Sequence, residues 1–225
     1  MVLCRNVNLK LQIYVLRNII PQYKKLDAAH NKKHIEYVIR RSLAIAKEYN
    51  ADANMAYCIA AFHDIGMLEG REQHEVCGAE KINADKVITR LFSSKQIELM
   101  KAAIREHRAS YIGRYTSIYS RIISQADRSF DIFLMTERSI KYGERYFPDY
   151  SYEQHYKRTY KYLKKKYGRE GYAHMVLEYL PDEKKIENIQ NILDDEEQFR
   201  IVFDKCYLVE NRGLDKHGKR FTKRN

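Results

Sequence analysis

Five of the eight histidines fall between His30 and His107. Four of them, His34, His63, His74 and His107, stand with Asp64 and Asp127 at the ends or inner faces of helical patterns. Turning an imidazole or a carboxylate toward an apolar interior is costly unless it is paired or bound to a metal. Singly, each has an ordinary explanation: an inward histidine is commonly hydrogen-bonded within a core, and a buried aspartate is commonly a cap or an ion-pair partner. Even the contiguous His63-Asp64 pair arises by chance in many chains. The ordered set is what points to one shared centre. Imidazole and carboxylate together select Mn, Fe, Co, Ni or Zn rather than Mg, which prefers oxygen alone.

The elements that must position these groups are helical. His34 to Tyr49 carries Ile35, Val38, Ile39, Ile45 and Ala46 at helical spacing, and Asp52 is placed to cap the next helix. That second helix runs toward His63 with Met55, Ile59 and Phe62 on one face, and Gly66 stands where a left-handed cap can end it. A third helix is expected from about Glu75 to Leu91. Ser93 with Gln96 reads as a capping box opening a fourth, which reaches His107 with Met100, Ala103 and Ile104 inward. A fifth is expected from about Thr116 to Ile140, where Ile123, Asp127, Phe130 and Leu134 align. Residues 9 to 20 fit a helix or a strand, and Pro21 ends either. Residues 150 to 205 read as further helices, broken by Pro148 and Pro181.

The ordered set, His34 in HIEYVIRRSLAIAKEY, His63-Asp64 in AYCIAAFHDIGML and Asp127 in IISQADRS, resembles the HD-domain metal-dependent phosphohydrolases. That family is named for a first histidine, a His-Asp pair and a distal aspartate. The resemblance covers about residues 25 to 135 and implies an all-α HD-domain bundle in which these four residues ligate metal. His74 in HEVCGAEKI and His107 in AAIREHRAS are similar to the extra histidines of members with a second metal. The His-x-x-x-Gly-Ala form at His74 is closest to the branch that splits diadenosine tetraphosphate symmetrically. His30, one turn before His34, is a rival first ligand; His34 is preferred because the apolar pattern begins there. Met67 departs from the Lys of the cyclic-dinucleotide branch, whose Gly-Tyr-Pro signature is also missing, and from the Glu of the 5'-deoxynucleotidase branch. Both activities are demoted.

Two ions about 3.5 to 4 Å apart, bridged by Asp64, would lower the pKa of a shared water so that it attacks phosphorus in line. Arg71 and Arg108 are the best-placed cations for the substrate's phosphate, with Arg105 and Arg128 next. No Gly-rich phosphate loop, nucleophile elbow or H-E-x-x-H helix appears, so kinase, serine-hydrolase and zincin chemistries have no support.

Charge bears on the partner. The net charge is +11, but residues 141 to 170 hold +5 and residues 211 to 225 another +5, leaving +1 for the rest. The catalytic half is therefore near neutral, which favours a compact phosphate substrate, a nucleotide above all, over a polyanion. Residues 141 to 170 also contain eight of the 19 tyrosines. Tyr152, Tyr156, Tyr160, Leu163 and Tyr167 form the stripe of an amphipathic helix packing inward, with Lys157, Arg158, Lys161, Lys164 and Lys165 as its solvated face. Two other readings remain: an HD-type nuclease whose Tyr/Lys segment tracks single-stranded nucleic acid, and a catalytically silent module that binds a nucleotide or partner.

At 225 residues, with 44% hydrophobic and 32% charged residues, the chain reads as one all-α globular domain with an appendage. Three independent domains are excluded. The expected division is an HD domain over 1–140, a helical extension over 141–210 packed on it, and a basic tail over 211–225. No apolar run approaches the roughly 18 residues of a membrane span. The first ten residues lack a secretory pattern, and the four scattered cysteines suit reduced thiols, so a cytoplasmic location is expected. Oligomeric state has no signature.

Overall fold

The structure, a computed structural model, describes residues 4–26 and 30–210. Every regular element among them is helical, and none is long and apolar enough to cross a membrane. The four cysteines, Cys4, Cys58, Cys77 and Cys206, are free thiols. The chain divides into two compact units between Arg128 and Ser129. This lies ahead of the boundary expected at 140.

In the first unit, α1 (Leu9–Tyr14) passes through a π turn into a 3-10 helix, Ile20–Lys25. The segment that fitted either helix or strand is therefore helical, and Pro21 opens the 3-10 turn rather than ending the element. There follow α2 (Lys32–Glu48), α3 (Ala53–Phe62), a 3-10 turn (Ile65–Glu69), α4 (His74–Ala84), α5 (Ile88–Leu91), α6 (Ser94–Arg105) and α7 (Ile118–Asp127). Their starts are written in the sequence. Side chains of Asn31, Asp52 and Ser117 accept from otherwise unpaired amides at the N-termini of α2, α3 and α7, and Ser93 with Gln96 forms a full capping box on α6. Ile35, Val38, Ile39, Ile59, Phe62, Ile82, Met100 and Ile104 bury the inner faces together.

Two expected helices are broken in two. The run from Glu75 to Leu91 stops at Ala84, because Asp85 turns to extended backbone and its carboxylate caps α5 through the amides of Val87 and Ile88. The run from Thr116 to Ile140 stops at Asp127; Arg128 is extended, and Asp131 caps a new helix, α8 (Ile132–Tyr146). A short polar side chain that can accept backbone amides competes with helix continuation at both places.

Gly66 does not supply a left-handed cap; the positive φ falls at Gly70 (φ 127°, ψ 161°), an extended conformation open to glycine, beyond the 3-10 turn. Gly66 is needed for proximity instead. A Cβ there would lie 2.0 Å from the His74 carbonyl oxygen and 2.5 Å from the Gly78 amide nitrogen. Gly66→Ala is expected to force the turn off α4 at a cost of about 1–3 kcal/mol, seen as a lower midpoint in denaturant unfolding.

In the second unit, α8 packs on α9 (Tyr152–Tyr167) and α11 (Glu196–Glu210), with α10 (Leu180–Asp194) alongside α9 and α11. Those contacts assign α8 to this unit, which is why the boundary precedes it. Pro181 opens α10, where a missing amide hydrogen costs nothing. Of the stripe expected on α9, Tyr156, Leu163 and Tyr167 are buried and Tyr152 and Tyr160 half-buried, and the Tyr156 ring meets Phe203 edge-on at 5.3 Å. Arg158 departs from the solvated face. Its guanidinium is half-buried and donates to the backbone oxygen and hydroxyl of Ser139. The basic tail expected at 211–225 lies outside the described residues.

Candidate metal centre

All six residues of the ordered set converge, each from a helix end. His34 lies in the first turn of α2, His63 and Asp64 follow the last turn of α3, and His74 is the first residue of α4. His107 stands just past α6, and Asp127 is the final residue of α7. Helix ends can present side chains to a common point while the helix bodies pack apart. Gln73 supports this with a left-handed backbone (φ 56°), a strained conformation for a residue with a Cβ, which sets the direction in which α4 leaves the loop.

The two oxygens of Asp64 face different partners. Its Oδ2 lies 3.0 Å from His63 Nε2 and 3.4 Å from His34 Nε2, and Asp127 Oδ1 lies 3.3 Å from the same His34 nitrogen. Its Oδ1 lies 3.4 Å from His74 Nε2 and 3.6 Å from His107 Nε2. The groups His34–His63–Asp64, Asp64–His74–His107 and His63–His107–Asp127 each offer three donor atoms within 4.8 Å of one another. His30 belongs to none of them; its ring stands 5.8 Å from that of His34.

Three of the four rings are oriented by the main chain. Nδ1 of His63, His74 and His107 lies 2.8, 3.0 and 2.7 Å from the carbonyl oxygens of Ala60, Arg71 and Ile104. A carbonyl only accepts, so each Nδ1 carries the hydrogen and, in the neutral ring, Nε2 presents its lone pair inward. Two such lone pairs, on His74 and His107, then face each other at 3.4 Å. His63 Nε2 and both nitrogens of His34 are buried without a hydrogen-bond partner. Lone pairs and carboxylates directed at one point, not at donors, are what a bound cation satisfies. The donor set thus fits divalent transition-metal binding.

The charge balance without metal follows from the same contacts. Burial draws His34, His63 and His74 down, but neighbouring carboxylates outweigh it, Asp127 and Asp64 for His34 and Asp64 for the other two, so all three titrate above the ordinary imidazole value. Burial pushes Asp64 and Asp127 up, yet the facing imidazoles, His63 foremost for Asp64 and His34 for Asp127, hold both well below the carboxylate range. The imidazole contribution to stability is complete below the unfolded value of about 6.5 and is lost as pH rises through the raised values. The carboxylate contribution is present above their unfolded values and is lost only in strong acid. A chelator-treated sample is therefore expected to melt at progressively lower temperature from about pH 6.5 upward, and added Mn should raise its melting temperature most at the alkaline end. Thermal melts across pH, with and without metal, check this.

The cations are less uniform. Arg71 and Arg108 have exposed side chains beside this cluster's histidines. Arg71 orients His74 through its carbonyl, and Arg108 reaches both Glu75 oxygens at 3.4 Å. Arg105 is drawn to Glu80 at 2.5 Å. Arg128 is buried, donating to Ser124 and Tyr115, so it braces α7 internally.

Sequence reasoning missed the supporting residues. Arg41 on α2 donates from Nε and Nη2 to the carbonyls of Ala126 and Gln125, both at 3.2 Å, holding the end of α7 that carries Asp127. Fully buried Tyr23 donates to the Ala61 carbonyl at 3.0 Å, next to the His-Asp pair. Glu75 Oε2 lies 3.3 Å from His74 Nδ1, and buried Glu106 accepts from the Thr116 amide at 3.0 Å. Only Glu75 carried a signal, its adjacency to His74; the others act across long sequence separations.

Comparison with the curated proteins and with the solved structures finds no match. A family model does match, and its span encloses every member of the cluster: residues 32–129, from the opening of α2 to just past Asp127, match the HD domain.

Proposed function

We propose that this protein is a metal-dependent phosphohydrolase that cleaves a phosphoester or phosphoanhydride bond of a small phosphate compound, a nucleotide above all. The observation that carries the reading is the two-sided carboxylate of Asp64, with two imidazoles on each of its oxygens. His34, His63, Asp64 and Asp127 would hold one divalent ion, and Asp64, His74 and His107 a second. Ions of the Mn, Fe, Co, Ni or Zn class, bound there, supply a water nucleophile at neutral pH and neutralise phosphoryl charge.

The chain's own residues do the rest. The anchored rings of His63, His74 and His107 fix the direction of approach, and partly exposed Asp127 leaves the cluster open on its side. Arg71 and Arg108 supply mobile positive charge for the non-reacting phosphates. Gly78, in the His-x-x-x-Gly-Ala form at His74, packs against the carbonyls of Phe62 and His63, so that form also serves to seat α4 on the His-Asp pair. Symmetrical dinucleoside polyphosphates are the finer substrate proposal.

Elemental analysis of the purified protein, followed by phosphate release from nucleotides, dinucleoside polyphosphates and short oligonucleotides under Mn, Co and Ni, tests the reading. Metal-dependent release from the small compounds supports it. Bound metal without turnover of any compound would overturn it in favour of a silent binding module.

A further inference from the structure

The aromatic residues of the second unit differ widely in exposure, which their interleaving in the sequence conceals. Tyr156, Leu163 and Tyr167 point inward, whereas Tyr142, Tyr146, Phe147, Tyr150, Tyr162 and Tyr172 are each 37–52% exposed. Four of the outward rings are contiguous. Tyr142 and Tyr146 lie 4.5 Å apart on α8, and Phe147 and Tyr150 stack at 4.9 Å and 24° in the connection to α9. The Arg158 guanidinium sits 5.7 Å from the Tyr142 ring. Lys166 lies 5.9 Å over the Tyr162 ring.

Cations line the same helices: Lys141, Arg145, Lys157, Lys161 and Lys165 are exposed, and residues 141 to 170 carry +5 even with Glu144 and Asp149 counted. Arg145 is 5.5 Å over the Tyr146 ring. Arg158 Nε and His155 Nδ1 are buried without a hydrogen-bond partner, and the His155 ring lies 5.7 Å from Tyr150. Six exposed rings are a poor surface to leave in water and are not arranged to pack a core.

We propose that this face of the second unit binds single-stranded RNA, unpaired bases stacking on the exposed rings while the lysines and arginines meet phosphates. The charge is complementary to a polyanion, and rings alternating with cations are the arrangement that stacking on unpaired bases uses. A duplex hides its base faces and is not matched. Five of the six rings carry a phenolic hydroxyl, a group that can meet a ribose 2'-hydroxyl. The inference stands apart from the metal centre and does not require the RNA to be cleaved.

Fluorescence anisotropy of the full chain with a labelled unstructured RNA tests it, the RNA being recovered intact on a gel afterwards. Binding should weaken steeply with salt, and Tyr142→Ala and Tyr162→Ala should each weaken it about tenfold. Tyr142→Phe should retain stacking. Because these substitutions remove no charge, they separate the face from non-specific attraction to the basic tail. Wild-type affinity in both alanine variants, duplex RNA bound equally well, or single-stranded DNA bound at least as tightly would overturn the proposal. Metal-dependent phosphate release, measured alongside, is expected to be unchanged in these variants.

Discussion

Asp64→Asn is expected to strip the protein of bound metal and to lower phosphate release by about a thousandfold or more, since the charge stabilisation lost is worth several kcal/mol. The substitution nearly preserves shape. It replaces one anionic oxygen by an amide nitrogen that directs hydrogens at imidazole lone pairs, and it leaves the other oxygen neutral. Its two oxygens lie within 3.6 Å of both pairs of rings, His34 with His63 and His74 with His107. The helices should still form, because α2, α3 and α6 are held by the apolar faces of Ile35, Ile59 and Ile104 rather than by the cluster. Elemental analysis, phosphate release and far-UV circular dichroism on the same sample separate lost ligation from lost fold. A variant that keeps its metal and turns over removes Asp64 from the centre.

The second large effect concerns stoichiometry. Wild-type protein is expected to hold two divalent ions per chain, and the double variant His74→Ala with His107→Ala to hold one. The reason is that these are the rings nearest Asp64 Oδ1, at 3.4 and 3.6 Å. His34→Ala should lose the other ion, the one also served by Asp127. Activity should fall about a hundredfold or more in each, because a two-ion clamp acts on both the attacking and leaving oxygens. Native mass spectrometry or elemental analysis reads the count. A wild-type protein saturating at one ion would reduce the two clusters to a single position.

The all-α class and the convergence of the ligand-type residues were more legible than the bounds of individual helices. The six ligand-type residues could be picked out because imidazole and carboxylate on inward faces are anomalies whose cost demands a partner. Helix starts were legible for a similar reason: Asp52 and Ser93 with Gln96 are side chains whose preference for a cap is local. Helix ends were not. Asp85 and Asp131 interrupt apolar patterns that continue past them, and whether such a residue sits on a helix face or caps the next one is decided by packing. Arg41 was invisible because its partners lie 85 and 84 residues away. The tyrosines of residues 141 to 170 were half-legible: periodicity identified the inward stripe on α9, but exposure of the remainder depends on how α8 and α9 meet.

The main-chain carbonyls behind His63, His74 and His107 have an asymmetric effect, since His34 lacks such a tether and neither of its nitrogens has a hydrogen-bond partner. One half of the centre is thus built from two tethered rings, the other from one tethered ring and one held by packing and by the facing carboxylates alone. With ions bound as proposed, the first would be stiff toward ionic radius and the second would adapt, so that ions of unequal size would exchange there without disturbing their neighbour.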